Sequence, residues 1–452
     1  MLRRSIFLLA VCYLCLTVAA SLINQAAATG TFNVLSMNVN GFPAFIIPTD
    51  TWNNKETYTM YMGQKLAEYN YGVINVQEDF DYHTTLYKYD NHTFRTATTG
   101  GALIGSGLNT LSKYDWIDFS RFDWDQYGDL DEYLLEKGFT FMRVRIDEGV
   151  YIDMINLDVS RDIRTFNVAA QRSQIHQLIN VIKANSAGNA VIVFGDMSLK
   201  STYSSSKHNI HLLTNQTGLT DAWVQAIGRD PLAAGTDTSE CPQGVPSNIN
   251  CEVGDKVFYR GSPVINLKST GFFYDTSRFL SPENKPLTDH HPVRVEFAYT
   301  LTDGLRQSRL CGGPHGTWFN DLSSIPASPK LDYITLRGAD RLDGITLGLS
   351  SRQNFTHGGP GGDSYSLRMI PGDYVTSVKL CWGKKYRHTR IFYAQANTSW
   401  GHSVHAGTKT QNCTTLTAPG GYGVVGTYGR AGVEIDRLGF IYAQQEDHRA
   451  PQ

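Results

Sequence analysis

The sequence lacks a strong charge of either sign and, beyond its N-terminus, any apolar run of membrane-spanning length. It contains 40 lysine and arginine residues against 42 aspartate and glutamate residues, for a formal net charge of −2. Proteins that coat nucleic acid normally carry a basic face, so this balance argues against that class while leaving room for a local groove. Because Asp, Arg, Asn or Gly interrupts each later apolar segment within about ten residues, we expect no transmembrane anchor.

The N-terminus has the three parts of a secretory signal peptide. Two arginines precede an apolar run at 6–18, and small residues follow at 19–21. The run of about 13 residues is shorter than the roughly 20 needed to cross a bilayer as a helix. We therefore expect a signal peptide over residues 1–20, with cleavage near Ala28 as the alternative, and a secreted, extracellular protein.

Cysteines and glycosylation sequons are consistent with export. Removal of the signal leaves Cys241, Cys251, Cys311, Cys381 and Cys413. Because five is an odd number, at most four of these cysteines form disulfides within the chain. Cys241 and Cys251 close a short loop, and we predict this disulfide in an oxidising compartment. The sequence does not choose among the other three. Asn-X-Ser/Thr sequons predict a glycosylated surface and occur at Asn91, Asn215, Asn354, Asn397 and Asn412.

The length and a change of composition predict two domains. A chain of 452 residues is too long for one ordinary core. The segment 300–310 is polar and has no strand pattern, so we place a linker at 300–308. One domain then covers 31–299 and the other 309–444.

The first domain alternates short apolar strands with helices, which predicts an α/β layered domain. The pattern starts with a strand at 32–39, a helix at 58–69 and a strand at 72–76. The clearest helix covers 167–185, and it has an apolar face with helical spacing, formed by Ile175, Leu178, Ile179 and Ile182. The apolar run 190–194 suits a strand buried on both faces.

The second domain loses the helical periodicity. Short β-rich runs are separated by glycine pairs in CGGPHG from Cys311, HGGPGG from His357 and PGGYG from Pro419. This spacing predicts an all-β domain with a loose three-fold repeat.

Polar residues at the ends of the predicted strands form the most informative set in the first domain. The set comprises Asn38, Glu78, Asp196, Asp255, Asp289 and His290. Carboxylates and an amide that converge from several strand ends provide ligands for a hard divalent cation. Such an ion neutralises charge on a phosphoryl group. A single Asp or Asn at a strand end, however, is most often a turn residue or a helix cap.

The order of these motifs over residues 31–299 resembles the endonuclease/exonuclease/phosphatase superfamily, which includes deoxyribonuclease I, apurinic endonucleases and neutral sphingomyelinases. The resemblance implies a four-layer α/β sandwich of the deoxyribonuclease I type. It also implies in-line attack of water on a phosphoester, assisted by Mg²⁺ or alternatively by Mn²⁺ or Ca²⁺. The substrate is left open between nucleic acid, phospholipid and other phosphoesters.

The resemblance also implies individual roles. Glu78 matches the direct metal ligand and Asn38 its companion. Asp196 matches the acid that orients or deprotonates the water. His290 matches the histidine that acts on the water or phosphate, and Asp255 the acid that holds this histidine. The acid before the histidine is matched by Asp289.

Two positions depart from the family pattern. Ser198 stands where the family has asparagine. Serine replaces the amide donor that the family directs at phosphate with a shorter hydroxyl. Asp158 stands where the family has a second histidine, and an anion there repels a phosphodiester. Asp158 then either recruits a second metal ion or, if the alignment slips, is a solvated loop residue.

The second domain resembles jacalin-related lectins, which fold as a β-prism of three sheets. The resemblance rests on GGPHGTWFND, DGITLGL, THGGPGG and GTYGRAGVEIDRLGF. It implies a sugar site in which the loop Gly432–Asp436, with Val433 and Glu434 inside it, faces Gly316. A carboxylate accepts two sugar hydroxyls, and glycines allow close approach of backbone N–H groups. The loop resembles mannose- or glucose-binding members, and the alternative is that Gly432 and Asp436 only shape a hairpin.

Two other groups have structural explanations that we prefer. The aromatic residues Trp116, Phe119, Phe122 and Trp124 suit core packing better than contact with a lipid surface or nucleobase. His291, His315 and His357 have no partners at metal-ligand spacing, so we interpret them as structural.

Three hypotheses for function follow. The first is an exported metal-dependent phosphodiesterase that a lectin domain delivers to glycans. The second is a glycan-binding protein whose hydrolase-like domain is inactive. The third is a secreted effector that binds host glycans and partners without hydrolysis.

Overall fold

A computed structural model of the chain describes residues 28–42, 54–98, 105–128, 136–160, 165–230, 232–233 and 239–445. The predicted signal peptide, 1–20, lies outside these ranges. Within them, no helix is long and apolar enough to cross a membrane.

The N-terminal domain contains two sheets and helices on their outer faces. Its strands are β1 (Thr29–Asn38), β2 (Val73–Gln77), β3 (Phe94–Arg95), β4 (Asn109–Ser112), β5 (Trp116–Asp123), β6 (Gly138–Asp147), β7 (Val150–Leu157), β8 (Ala190–Asp196), β9 (Thr220–Asp221), β10 (Asp255–Arg260), β11 (Ile265–Tyr274) and β12 (Val293–Leu301). Its helices are α1 (Lys55–Tyr69), α2 (His83–Tyr89), α3 (Thr165–Asn185), α4 (Ser204–Thr217) and α5 (Ala222–Ile227), with a 3-10 turn at Asp275–Arg278. The two six-stranded sheets have the orders β11-β12-β1-β2-β4-β3 and β5-β6-β7-β8-β10-β9.

The two sheets pack face to face, and the helices cover them. Val34 of β1 and Phe194 of β8 belong to one buried cluster between the sheets. Leu66 of α1 packs on the outer side of the first sheet. The predicted apolar face of α3 packs on the second sheet in another cluster, through Ile175, Leu178, Ile179 and Ile182. This helix–sheet–sheet–helix arrangement confirms the predicted four-layer sandwich.

The aromatic group of the first domain is part of this packing. Trp124 is buried and Phe122 stacks on Phe139 with ring centroids 4.8 Å apart. Trp116 and Phe119 are half-buried against the core. The expected core role is therefore confirmed.

The C-terminal domain is all-β. Its strands are β13 (Leu305–Gln307), β14 (Cys311–Gly312), β15 (Thr317–Asn320), β16 (Leu331–Gly338), β17 (Leu342–Leu349), β18 (Asn354–Gly358), β19 (Asp363–Arg368), β20 (Val375–Lys385), β21 (His388–Thr398), β22 (Ser403–Gly407), β23 (Asn412–Thr417), β24 (Tyr422–Ala431) and β25 (Ile435–Gln444), with a 3-10 turn at Asp321–Ser324. Three sheets form, with the orders β13-β25-β24-β15, β18-β17-β16-β19 and β22-β21-β20-β23, and β14 also pairs with β25. The last two sheets share one strand order, as the predicted three-fold repeat requires. The first sheet combines strands from both ends of the domain.

The segment expected to lack strands contains one. Leu305–Gln307 pairs with β25 in the register Leu305↔Ala443 to Gln307↔Ile441. The expectation was wrong because three residues are too few to show periodicity, and the open edge of β25 determines the pairing. β12 also extends to Leu301, inside the proposed linker.

Two disulfides are present among the described cysteines. The predicted Cys241–Cys251 bond is confirmed. Cys381 and Cys413 form the second, at directly paired positions of β20 and β23. Cys311 is buried with a free thiol. The sequon asparagines are exposed at four positions and half-buried at Asn397, so their glycosylation stays a prediction.

Candidate active site and candidate carbohydrate site

The polar residues of the first domain meet at one end of the two stacked sheets. Asn38 ends β1, and its Nδ2 donates to Asp196 Oδ2 at 3.2 Å. Asp196 ends β8, and Asp255, which begins the antiparallel β10, is its direct partner in the sheet. Glu78 follows the last residue of β2, next to Asn38 in the parallel β1–β2 pair. Strand pairing therefore brings together residues that are far apart in sequence.

His290 lies between two of these carboxylates. Its Nδ1 is 3.0 Å from Asp255 Oδ2 and 3.9 Å from Asp196 Oδ2. Burial disfavours the charged ring, but Asp255 outweighs burial with help from Asp196 and Asp289, and the pKa of His290 is raised to about 10. The imidazole is therefore held cationic and acts as a donor to Asp255.

Asp289 and its neighbours line the entrance to the site. Asn40 Nδ2 donates to Asp289 Oδ1 at 3.0 Å, and the Asn40 backbone N–H donates to Asn38 Oδ1 at 2.9 Å. Lys55 Nζ donates to the carbonyl of Asn40 at 3.0 Å. Asn40 and Lys55 were not predicted from the sequence, because neither continues a strand-end motif.

Asp158 is buried with 1% exposure, so the alternative of a solvated loop residue is wrong. It follows β7 and is bridged to Asp196. Lys137 Nζ donates to Asp158 Oδ1 at 2.9 Å and lies 3.9 Å from Glu78 Oε1. Burial lowers the pKa of Lys137, but Asp158, Glu78 and Asp196 raise it by more. A protein cation therefore already occupies the position beside Asp158 for which a second metal ion was considered.

Ser198 sits on a turn that folds back over Asp196. Its backbone N–H and its hydroxyl both donate to Asp196 Oδ1 at 3.1 Å. Ser198, Glu78 and Asn40 have φ angles of 49°, 54° and 48°. A positive φ is costly for Ser198 and Glu78 and less so for Asn40, and such conformations concentrate at functional sites. Three of them around one carboxylate cluster support a functional site here.

The carboxylates fit a hard divalent cation. Asp196, Asp255 and His290 each offer a ligand-type atom within 4.8 Å of the others. The cationic ring of His290 has no lone pair for a metal ion, so the two carboxylates are the ligands in this group. Asp255 Oδ1 is buried and forms no hydrogen bond to another described residue. The same end of the sandwich has a cleft of about 340 Å³. Lys200, Tyr203 and Glu240 line this cleft together with Asp196, Ser198, Asp255, Asp289 and His290.

The candidate carbohydrate site lies where β15 begins beside the β24–β25 turn. Gly316 has a φ of +74°, and an added Cβ would stand 2.7 Å from Asp436 Oδ2. Only glycine therefore allows the two halves to approach this closely. Asp436 is buried, which raises its pKa, and its Oδ1 has no hydrogen-bond partner among the described residues. Val433 is 74% exposed, and a Cβ added at Gly432 would meet no other atom within 4 Å.

Glu434, inside the same turn, is held by two arginines. Arg341 donates from Nη2 at 2.7 Å and from Nε at 2.9 Å. Arg390 Nη1 donates at 2.6 Å. The hydrogen bonds from Arg341, and then those from Arg390, lower the pKa of Glu434 to about 2. These hydrogen bonds fix the centre of the Gly432–Asp436 turn in one position.

The remaining histidines have ordinary partners. His357 Nε2 is 2.7 Å from Asp321 and its ring stacks on Phe319. His291 Nδ1 is 3.0 Å from Thr276 Oγ1. His315 stacks on His388 with ring centroids 3.9 Å apart. Among the described residues, none of these histidines belongs to a metal-ligand cluster.

Comparison with known proteins gives a separate match for each domain. Residues 33–244 match the family described as Endonuclease/Exonuclease/phosphatase family 2, and residues 308–441 match the Jacalin-like lectin domain. The chain therefore joins an endonuclease/exonuclease/phosphatase-family domain to a jacalin-like lectin domain.

Individual proteins and solved structures are similar to parts of the chain. The protein named Sphingomyelinase from Mycobacterium tuberculosis strain H37Rv is 32% identical over 282 residues, which are 60% of this chain and 53% of that protein. The chain thus spans about half the length of the curated relatives it matches. Humanized D. rerio TDP2 is 15% identical with a TM-score of 0.42, covering 60% of this chain and 99% of that one. Malaysian banana lectin is 20% identical with a TM-score of 0.28, covering 31% and 100%.

The folded phosphatase-family domain includes residues beyond those that match the family. The match ends at residue 244, before Asp255 and His290. Yet β12 pairs with β1 and β10 pairs with β8, so residues beyond 244 complete both sheets. In the lectin domain, the match includes both Gly316 and the turn Gly432–Asp436.

Proposed function

We propose that this chain is a secreted, Mg²⁺-dependent phosphodiesterase whose lectin domain binds it to glycans. The observation that carries the proposal is the 3.0 Å contact between His290 and Asp255 beside Asp196. A cationic histidine oriented by one acid, next to a second acid at a strand end, provides an acid and a base for attack of water on phosphate. The match to a phosphatase family supports this chemistry.

From the family resemblance we assign the metal position to Glu78 with Asn38, which lie beside the Asp196 and Asp255 carboxylates. Oxygen ligands from a carboxylate and an amide suit Mg²⁺, with Mn²⁺ or Ca²⁺ as alternatives. When bound, the ion stabilises negative charge on the phosphoryl oxygens. Asp196 then orients or deprotonates the attacking water, and His290 donates to the phosphoryl or leaving oxygen. Asp255 fixes the ring of His290, and Asp289 adds to the negative field that keeps the ring protonated.

Lys137 takes over the charge of the missing second histidine. Its ammonium lies between Asp158 and Glu78, so it offsets the anion that Asp158 adds near the phosphate. This assignment removes the need for a second metal ion. Ser198 is assigned to positioning Asp196 through two hydrogen bonds, rather than to contacting phosphate.

Sphingomyelin is the substrate that we propose to test first. The M. tuberculosis relative named Sphingomyelinase supports this choice. A net charge of −2 also disfavours duplex DNA, because binding its phosphates requires several lysines and arginines in the groove.

We assign glycan binding to Gly316, Gly432, Val433 and Asp436, with mannose or glucose as the favoured sugars. Asp436 accepts sugar hydroxyls through Oδ1, which accepts no hydrogen bond from the described residues and lies 3.7 Å from Arg390 Nε. Glu434 is assigned to holding the turn, because two arginines already occupy its carboxylate. Export is supported by the two disulfides and by the mainly exposed sequon asparagines.

The test is hydrolysis of bis-(p-nitrophenyl) phosphate, sphingomyelin and a DNA duplex by the secreted protein, with Mg²⁺ and with EDTA. We expect Mg²⁺-dependent release of phosphocholine from sphingomyelin. Glu78→Gln should abolish it, whereas Glu68→Gln, an exposed glutamate on α1, should not. Absence of any Mg²⁺-dependent hydrolysis would reject the enzyme and favour a purely glycan-binding protein.

A further inference from the structure

Asp118 of the phosphatase-family domain is buried at the contact with the lectin domain. It belongs to β5, and three guanidinium groups surround its carboxylate. Arg143, from the same domain, donates to Oδ2 at 2.7 Å. Arg430 and Arg437, from β24 and β25 of the lectin domain, donate to Oδ2 at 2.9 Å and to Oδ1 at 2.7 Å.

The backbone at Asp118 is adapted to this contact. Its φ is +58°, and the pairing of β5 with β6 is irregular between Ile117 and Ser120. A bulge of this kind redirects a side chain out of the regular alternation of a strand. An unfavourable φ persists only where the surrounding structure holds it. Here the three arginines provide that hold.

Arg430 also binds the backbone of the candidate carbohydrate site, and Arg437 binds the backbone of β14, which precedes that site. Arg430 Nη1 donates to the carbonyl of Gly316 at 3.1 Å. Arg437, which directly follows Asp436, donates from Nη2 to the carbonyl of Gly312 at 3.3 Å. Asp118 therefore contacts the side chains that join both halves of the carbohydrate site.

Arg143 links the cluster to β15, the strand that follows Gly316. Its guanidinium lies 3.5 Å from the ring centroid of Trp318, two residues after Gly316. It is also paired with Asp153, so it retains an acid when Asp118 is neutralised. Among the described residues, neither Arg430 nor Arg437 forms an ion pair with an acid other than Asp118.

Loss of the Asp118 charge would leave two buried cations facing each other and Arg143. Breaking a buried ion pair by removing one partner is strongly unfavourable because the other charge stays unpaired. Arg430 is 12% exposed and the easier of the two to turn into solvent. That movement breaks its hydrogen bond to Gly316.

We propose that Asp118 is a positioning residue for the carbohydrate site of the neighbouring domain. Full sugar affinity then requires the phosphatase-family domain, and the sugar site is completed only in the two-domain chain. This inference rests on the proposed glycan binding by Gly316 and Asp436.

The experiment uses the full chain with Asp118→Asn, which keeps the side-chain volume and removes the charge. Calorimetric titration with methyl α-mannoside should show affinity weakened roughly tenfold. Asp115→Asn is the matched control, because Asp115 lies just before β5 and its ion-pair partner among the described residues is the half-exposed Arg145 at the surface. Its affinity should equal that of the wild type.

A double-mutant cycle separates positioning from general destabilisation. If Asp118 acts through Arg430, then Asp118→Asn in an Arg430→Gln background should add little further loss of affinity. If Asp118 has only a structural role, Asp118→Asn should lower the melting temperature, and the affinity losses of Asp118→Asn and Arg430→Gln should add in the double variant. Asp118→Glu keeps the charge and should retain more affinity than Asp118→Asn.

Amide hydrogen exchange of residues 312–320 and 429–437 gives a readout that does not need sugar. Asp118→Asn should speed exchange there, and Asp115→Asn should not. If Asp118→Asn is not secreted, Asp118→Glu is compared with wild type in the same assay. Unchanged exchange and affinity would overturn the inference. If the wild type binds neither methyl α-mannoside nor methyl α-galactoside, the glycan function fails, and hydrogen exchange still decides the role of Asp118.

Discussion

The ammonium of Lys137 donates to the carboxylate of Asp158 at 2.9 Å, and both side chains are almost completely buried. Lys137 directly precedes β6, and Asp158 directly follows the neighbouring β7. The β6–β7 hairpin therefore brings the pair together. Because the family pattern has a histidine at this position, Asp158 considered alone indicates a damaged active site. Together, the two residues supply one positive and one negative charge beside Glu78.

Replacement of Lys137 by methionine should weaken both catalysis and folding. We expect hydrolysis of sphingomyelin to fall by about two to three orders of magnitude, as when one donor to developing charge is removed. Stability should fall by about 3–5 kcal/mol, because Asp158 is left buried without its cation. Steady-state kinetics and urea unfolding measure the two effects.

Lys65→Met serves as its control, since Lys65 pairs with Glu68 at the surface. It should change stability by about 0.5 kcal/mol or less. Adding Asp158→Asn to Lys137→Met should restore part of the lost stability but not the activity. Full activity in Lys137→Met would contradict the assigned role.

The substitution Asp158→His, with or without Ser198→Asn, should not improve the enzyme. A histidine next to Lys137 removes its partner and leaves two potential cations together. Asparagine at position 198 removes the hydroxyl donor to Asp196 Oδ1 and keeps only the backbone donor. We expect activity below wild type and a loss of about 1–3 kcal/mol in stability. A gain in hydrolysis over an inert wild type would show instead that the native domain is a disabled catalyst.

The imidazole of His290 should titrate near pH 10 in protein freed of metal by EDTA. Because its pKa is raised on folding, its contribution to stability is complete below about pH 6.5 and is lost as the pH rises toward 10. Asp255→Asn should lower this pKa, since Asp255 is the main carboxylate partner. NMR of the ring nitrogens measures the titration, with His290→Gln to assign the signal. A midpoint near 6.5 in the wild type would refute the assigned charge state.

The stabilisation of the lectin domain by the Glu434 carboxylate should be lost in strong acid. Its pKa is lowered to about 2, so its contribution is complete above about pH 4.5 and is lost as the pH falls through 2. Glu434→Gln should therefore lower the melting temperature at pH 5 and have a smaller effect at pH 2. An equal effect at both pH values would contradict the ion pairs with Arg341 and Arg390.

Much of the fold follows from local patterns. The α3 helix, the buried β8 strand and the glycine-pair loops each depend on a period or on a turn chemistry that neighbouring residues share. The strand-end residues Asn38, Asp196 and Asp255 could be identified for the same reason. Lys137 could not, because nothing in EKGF separates a catalytic lysine from a solvated one. Only the pairing of the β6–β7 hairpin places its ammonium between Asp158 and Glu78.

The sequence by itself predicted two domains and their secondary-structure classes, because these depend on short-range periodicity and composition. The residues of both candidate sites followed from the resemblance of its motifs to two families. The tertiary structure alone decided which charges are neutralised. The pairs Lys137 with Asp158, Arg341 with Glu434 and Arg430 with Asp118 are 21, 93 and 312 residues apart. Contacts over such separations arise from strand pairing and domain packing, and no local pattern records them.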